Sequence, residues 1–152
     1  WFDAEVFYDR CSRLVCYRGI NRLGALVLVT EVCDWRRFES ARRFMGFCGL
    51  TPTEYSSGNT TRRGSITKAG NVQVRTQLIE SAYAYRYPAR LTREISRRQQ
   101  GAHPDTIARA WVAQQRLSRR FRALDARKDS RRVVAAAIAR ELAGFVWAEM
   151  TT

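Results

Sequence analysis

Histidine occurs once in these 152 residues, at His103, and lysine only at Lys68 and Lys128. Cysteine is limited to Cys11, Cys16, Cys33 and Cys48, with no close pair, and the single histidine is far away in sequence. The clustered ligands of a zinc site are therefore missing, and no metal site is expected in the chain. A disulfide framework needs a secretory context, and the opening Trp-Phe-Asp does not read as a signal peptide. The apolar run Leu23 to Val32 is too short to span a bilayer and carries Glu31. Free, buried thiols in a reducing cytoplasm are expected, with no membrane association. The lack of an initiator Met reads as a piece of something longer. Acidic residues are also scarce, 14 against 27 Lys and Arg, leaving a net charge of +13. A surplus of that size on so small a body calls for a polyanion, and nucleic acid is the first candidate.

With 45% hydrophobic and 11% aromatic residues, the chain has too much apolar content for disorder and enough length for one core. A single domain over 1–152 is expected. Almost all the basic residues are arginine, whose planar fork matches phosphate oxygens two at a time. A coding bias toward arginine accounts for Arg over Lys, but not for the excess over acids.

Helical spacing is visible over residues 2 to 16, and again, apolar almost all round, over Leu23 to Cys33, which suits a helix at the centre of a fold. Between them Gly19 marks a turn from Tyr17 to Asn21. Ser40 is placed to cap a short helix from Ala41 to Cys48, closed by Gly49. Leu50 to Gly70 shows neither helical nor strand periodicity and reads as a long loop, which in a compact domain points to function or disorder. Helical spacing resumes from Asn71 to Pro88. A loosely patterned basic segment follows, Ala89 to His103, and then helices from Pro104 to about Ala126 and from Val133 to Met150. The fold class is all-α, divided into a helix-hairpin-helix-like part (1–48), a serine loop (49–70) and a helical remainder (71–152).

Two segments carry chemistry. The helix, Gly-centred turn and second helix around Leu14 to Leu26 can hold a phosphate on free amides, with Arg18 and Arg22 beside it. Ordinary helix pairs with a Gly turn look the same. The loop holds a hydroxyl pair, Ser56 and Ser57, beside Gly58, then Arg62, Arg63 and Lys68, and then a helix start at Gly70 and Asn71. A serine nucleophile needs a base or metal as well as positive groups for charge developing on phosphate. The cations meet the second need; for the first, Glu54 is the only carboxylate in the loop. From spacing alone a phosphate-binding loop, with Ser57 as a hydrogen-bond donor, is the safer reading, and a nucleophilic Ser57 is the alternative. Trp35, Trp111 and Trp147 read as core or interface anchors. The arginines Arg116, Arg119, Arg120 and Arg122 line either a nucleic-acid contact or a solvated face.

The order Phe38-x-Ser-Ala-Arg-x-Phe-Met-x-Phe-x-Gly-Leu-Thr-Pro-x-Glu-Tyr-Ser-Ser-Gly58, continued by Arg62-Arg63-Gly-Ser-Ile-Thr-Lys-x-Gly-Asn71, Val74-Arg75 and Arg140-Glu-Leu-Ala-Gly-Phe-Val-Trp147, resembles the serine-bearing C-terminal domain of the insertion-sequence "one-ten" transposases (IS116/IS110/IS902 type), bridge-RNA-guided recombinases. The likeness runs from about Leu14 to the end. It implies DNA transposition through a phosphoserine link, with Ser57 as nucleophile and Gly58 supporting a close turn. Arg62, Arg63, Lys68 and Arg75 would bind phosphates. It also implies an N-terminal RuvC-like half, absent here, holding a divalent metal such as Mg; partners would be DNA, a guide RNA and further copies of the intact protein. The isolated segment is then expected to be catalytically silent. The competing expectation is a non-catalytic DNA- or RNA-binding module or a truncated remnant.

Overall fold

The structure is a computed structural model; it describes residues 3–57, 60–127 and 130–152, with side chains at all of these except 54–57 and 60–64. Seven α-helices and one small hairpin are seen among them, so the all-α expectation holds. Most helices start where a side chain satisfies an otherwise unpaired amide. Asp3 caps α1 (Ala4–Leu14), Asn21 caps α2 (Arg22–Val32), and Ser40, as expected, caps α3 (Ala41–Phe47). Asn71 caps α4 (Val72–Ala82) and Thr92 caps α5 (Arg93–Arg98). The Nδ1 of His103 accepts from the Asp105 amide ahead of α6 (Pro104–Asp125), and α7 (Arg131–Thr151) completes the chain.

The central helix is α7, which packs against α1, α3, α4 and α6. Its buried face alternates Ala135, Ala139 and Ala143 with Val134, Ile138, Leu142 and Val146, so its neighbours approach closely over small side chains. At Gly144 an added Cβ would meet Met45 Cε at 3.1 Å, which marks how near α3 lies. The expectation that the apolar helix α2 would be central is corrected. It packs on α1 and α4 with Gly24, Ala25, Leu28, Val29 and Val32, and leaves Leu23 68% and Leu26 43% exposed. Composition without position cannot tell a helix covered on one side from one covered on all.

Two further expectations change. The segment 89–103 contains α5, whose six residues bury little beyond Ile95 and are too few to display a period. Of the four free cysteines, Cys16 and Cys48 are buried, where burial pushes the thiols up to about 11 and about 12. Cys11 is half-buried. Cys33 departs from the expectation: it is exposed at the end of α2, with φ at 61°.

One buried acid joins both ends of the chain. Glu149 lies on the inward stripe of α7 and is fully buried. Its carboxylate accepts from Arg13 Nε at 3.0 Å, the Tyr17 hydroxyl at 2.9 Å, Thr106 Oγ1 at 2.8 Å and Arg109 Nε at 2.6 Å. Arg13 also donates to the Glu149 carbonyl. Burial by itself would raise this carboxyl, but the hydrogen bonds from Arg109, Thr106, Tyr17 and Arg13 outweigh it and hold the pKa down at about 2. The ionised form is thus favoured by folding; that contribution is complete above the ordinary value of 4.5 and is lost as pH falls toward about 2. Glu149→Gln removes this loss, leaves Arg109 without its counter-charge and leaves Arg13 with the exposed Asp9 at 3.7 Å. Denaturant titrations should show the variant less stable at neutral pH by about 3–5 kcal/mol, with a flatter pH dependence below pH 4.5 than the parent chain.

Candidate functional site

The segment read as a loop is a two-stranded antiparallel hairpin, β1 (Pro52–Ser57) and β2 (Thr60–Ile66). Neither strand alternates apolar with polar residues, so no strand period shows in the sequence, although Ile66 at the base packs against the core. A signal was present nonetheless, since a Gly-Asn pair between Ser- and Thr-rich runs is a hairpin-turn dipeptide. The ladder pairs Tyr55 with Arg62 and, at its far end, Ser57 with Thr60, after an irregularity between Pro52 and Glu54. By alternation Tyr55, Ser57, Thr60 and Arg62 fall on one face, and Glu54, Ser56, Thr61 and Arg63 on the other. Gly58 lies outside the described residues, as do the side chains of Ser57, Arg62 and Arg63.

The base of the hairpin is closely built. Lys68 N–H donates to the Gly49 carbonyl at 3.1 Å, Thr67 N–H to Thr51 at 2.9 Å and Asn71 N–H to Phe47 at 2.8 Å. The chain turns into and out of the strands through left-handed backbone at Gly49 (φ 69°) and at Lys68 (φ 57°), a conformation a lysine rarely adopts. At Gly70 a Cβ would stand 2.2 Å from the Phe47 carbonyl oxygen and 2.8 Å from Gly49 N, so only glycine lets the strands return this close to α3. Asn71 works twice: its Oδ1 caps Val74 N–H at 2.9 Å, and its Nδ2 donates to Glu31 on α2 at 2.9 Å. Arg75, from the first turn of α4, donates to the Cys48 carbonyl at 3.4 Å. Lys68 is exposed.

The other predicted cations stand apart from the hairpin. Gly19, with φ at 87°, closes the turn between α1 and α2, and a Cβ there would meet the Ser81 carbonyl oxygen at 2.4 Å. The turn's carbonyls are taken from within the domain: Arg98 donates to Ile20 at 2.7 Å and Gln99 to Cys16 at 3.1 Å. Arg18 donates to the Pro88 carbonyl at 2.9 Å and lies over the Tyr87 ring; burial lowers its pKa. Arg22 is exposed at the start of α2. On α6, Arg116 and Arg120 pair with Glu141, whereas Arg119 and Arg122 are exposed and form no ion pair with a described residue. Trp35 is fully buried, while Trp111 and Trp147 are half-buried. Sequence reasoning passed over Glu31, the partner of Asn71, and a group of arginines and phenylalanines spanning Trp35 to Phe47.

Residues 11–97 match the family described as Transposase IS116/IS110/IS902. The chain is 49% identical over 131 residues to a putative transposase, y4qE, of Sinorhizobium fredii, covering 86% of this chain and 34% of that protein. It is 33% identical over 145 residues to the putative transposase y4pF/y4sB of the same organism, covering 95% of this chain and 32% of the relative. It is also 38% identical over 76 residues to the transposase for insertion sequence element IS1111A of Coxiella burnetii, covering 50% of this chain and 21% of the relative. The chain spans about a third of the length of the first of these relatives.

Gly70→Ala should lower stability by roughly 2–4 kcal/mol, since two stretches of backbone must move to admit one methyl group. Gly46, in α3, has nothing within 4 Å of an added Cβ, and Gly46→Ala should raise stability by about 0.5–1 kcal/mol. Thermal melts of the two variants beside the parent chain test both signs.

Proposed function

The chain belongs to the IS116/IS110/IS902 family of transposases, and on that premise we propose that it is the serine-bearing half of a DNA strand-exchange enzyme, with Ser57 as the nucleophile. In this step Ser57 Oγ forms a bond to a DNA phosphorus while the bond from that phosphorus to one sugar oxygen breaks. The serine gives up its proton and the departing sugar oxygen gains one, so a phosphodiester is exchanged for a phosphoserine link with no net oxidation or hydrolysis. Attack by the hydroxyl of a second strand reverses the step and frees the serine.

The observation that carries this reading is the backbone of the hairpin. Ser57 is at its far end, opposite Thr60, while its base is tied to α3 and α4. A nucleophile held on a paired strand over a rigid foundation presents itself to a phosphate with little ordering left to do on binding. Arg62 shares the ladder face of Ser57, and we assign it to the attacked phosphate. Arg63, on the other face, and Lys68, at the base, are assigned to flanking phosphates, with Arg22 as a more distant contact. Arg75, held on the Cys48 carbonyl, is assigned to the hairpin's foundation, and Arg18 to the turn it braces.

Serine activation calls for a base or a metal ion. Among the described residues no three acidic, cysteine or histidine side chains converge to hold one, so this donor set does not fit a divalent metal and no step is derived through it. In our reading the metal, Mg, is supplied by a RuvC-like half of the intact protein, which acts as an oligomer on DNA chosen by a guide RNA. The present segment alone is then catalytically silent.

In the intact protein, Ser57→Ala should reduce strand exchange by at least about a thousandfold while leaving nucleic-acid affinity within about twofold. A covalent protein–DNA adduct, digested and mapped by mass spectrometry, should carry its nucleotide on Ser57. Exchange that survives the substitution, or an adduct on another residue, would remove Ser57 from the mechanism. Arg62→Gln should slow adduct formation more than Arg63→Gln does, because only position 62 shares the serine's face of the ladder.

A further inference from the structure

A cationic, aromatic surface lies outside the hairpin, on the stretch from Trp35 to Phe47. The guanidinium of Arg37 stacks over two rings at once, 4.6 Å from the centroid of Phe38 and 4.8 Å from that of Phe47. The rings are half-buried and supported from beneath: Phe38 lies 5.0 Å from Phe47 and 5.4 Å from Phe44, and Phe44 is 5.1 Å from the buried Trp35. Arg36, Arg37, Arg42 and Arg43 are all exposed, and none forms an ion pair with a described residue. A cleft of about 390 Å³, lined by Arg37, Phe38, Glu39 and Arg43, opens beside the stack.

We propose that this cationic, aromatic surface is a stacking platform for an unpaired base of single-stranded nucleic acid, with the neighbouring arginines on its phosphates. The inference rests on the reading of the chain as a nucleic-acid-binding domain. A duplex stacks both faces of each base internally and offers only backbone to such a surface, whereas a splayed base has a free π-face for a guanidinium or a phenylalanine ring. The unpaired arginines match the charge of the strand on either side. Glu39 would repel a phosphate in the cleft, but its carboxylate can accept from a base amino group, so the base belongs at that end.

The platform shares its foundation with the hairpin. Phe47, which forms part of its floor, is also the residue whose carbonyl accepts Asn71 N–H at 2.8 Å and lies against Gly70. A strand gripped on the platform would therefore be held in fixed relation to the base of the element carrying Ser57.

The test uses the 152-residue chain, labelled single strands of DNA and of RNA of roughly 15 nucleotides, and the matching DNA duplex. Anisotropy gives affinity, and 2-aminopurine within the single strand reports stacking by loss of fluorescence. Phe38→Leu, which keeps apolar volume and removes the ring, should weaken single-strand binding about tenfold and abolish the quenching. Duplex affinity should stay within about twofold. Arg37→Gln, a surface change, serves as second variant should Phe38→Leu melt early; it should likewise lose the quenching and lower the single-strand salt slope by about one. The identity of the strand gripped is read from whether DNA, RNA or both lose affinity, each of which supports the platform. Retained quenching in both variants, or equal losses on single strand and duplex, would overturn it. If the parent chain itself binds no nucleic acid, the broader reading fails along with the platform; if it binds and the variants match it, the platform alone is wrong.

Discussion

The closure of this domain depends on a carboxylate that has no access to water. Glu149 sits in the last turn of α7 and receives hydrogen bonds from α1, from the turn after it and from α6. Two arginines and two hydroxyls meet its oxygens, which is the condition under which a buried charge ceases to be a penalty and becomes a specific lock. An apolar residue at this position would bury as well, but could select no particular placement of α1 and α6 around α7. That placement matters downstream, because α3 and α4, which carry the hairpin, pack on the same central helix.

The hairpin is anchored at its base, where Ile66 packs against the core and the backbone is tied to its surroundings. Four contacts at its base join backbone to backbone or side chain to backbone: Lys68 to Gly49, Thr67 to Thr51, Asn71 to Phe47 and Arg75 to Cys48. Such contacts hold direction without demanding apolar sequence. A segment can therefore be rich in Ser, Thr and Arg and still occupy a defined place. The left-handed backbone at Lys68 is a local strain of the kind that persists only when its surroundings over-determine it.

Charge is distributed in two ways over the molecule. Some arginines are spent on structure: Arg13 and Arg109 on Glu149, Arg98 on the turn carbonyl of Ile20, Arg75 on Cys48 and Arg18 on Pro88. Others, among them Arg22, Arg36, Arg42, Arg43 and Arg119, are exposed without an ion pair to a described residue. The excess of +13 therefore overstates the basic surface open to a polyanion, and identical residues in the sequence have opposite uses.

The helices with strong local signals were legible from residue order alone. Ser40 announced its cap, Asn71 and Pro104 their helix starts, and Gly19 and Gly49 their turns, because each of these depends on groups within a few residues. The ordered motif from Phe38 to Asn71 likewise placed the chain in its family without any coordinates. Tertiary structure decided the rest. Which of two apolar helices lies at the centre, why a serine-rich stretch pairs as strands, which arginines are consumed internally, and that Arg37 lies on two phenylalanine rings all depend on residues distant in sequence. Local rules act through neighbouring amides and carbonyls, whereas burial and ion pairing act through whichever surfaces the folded chain brings together.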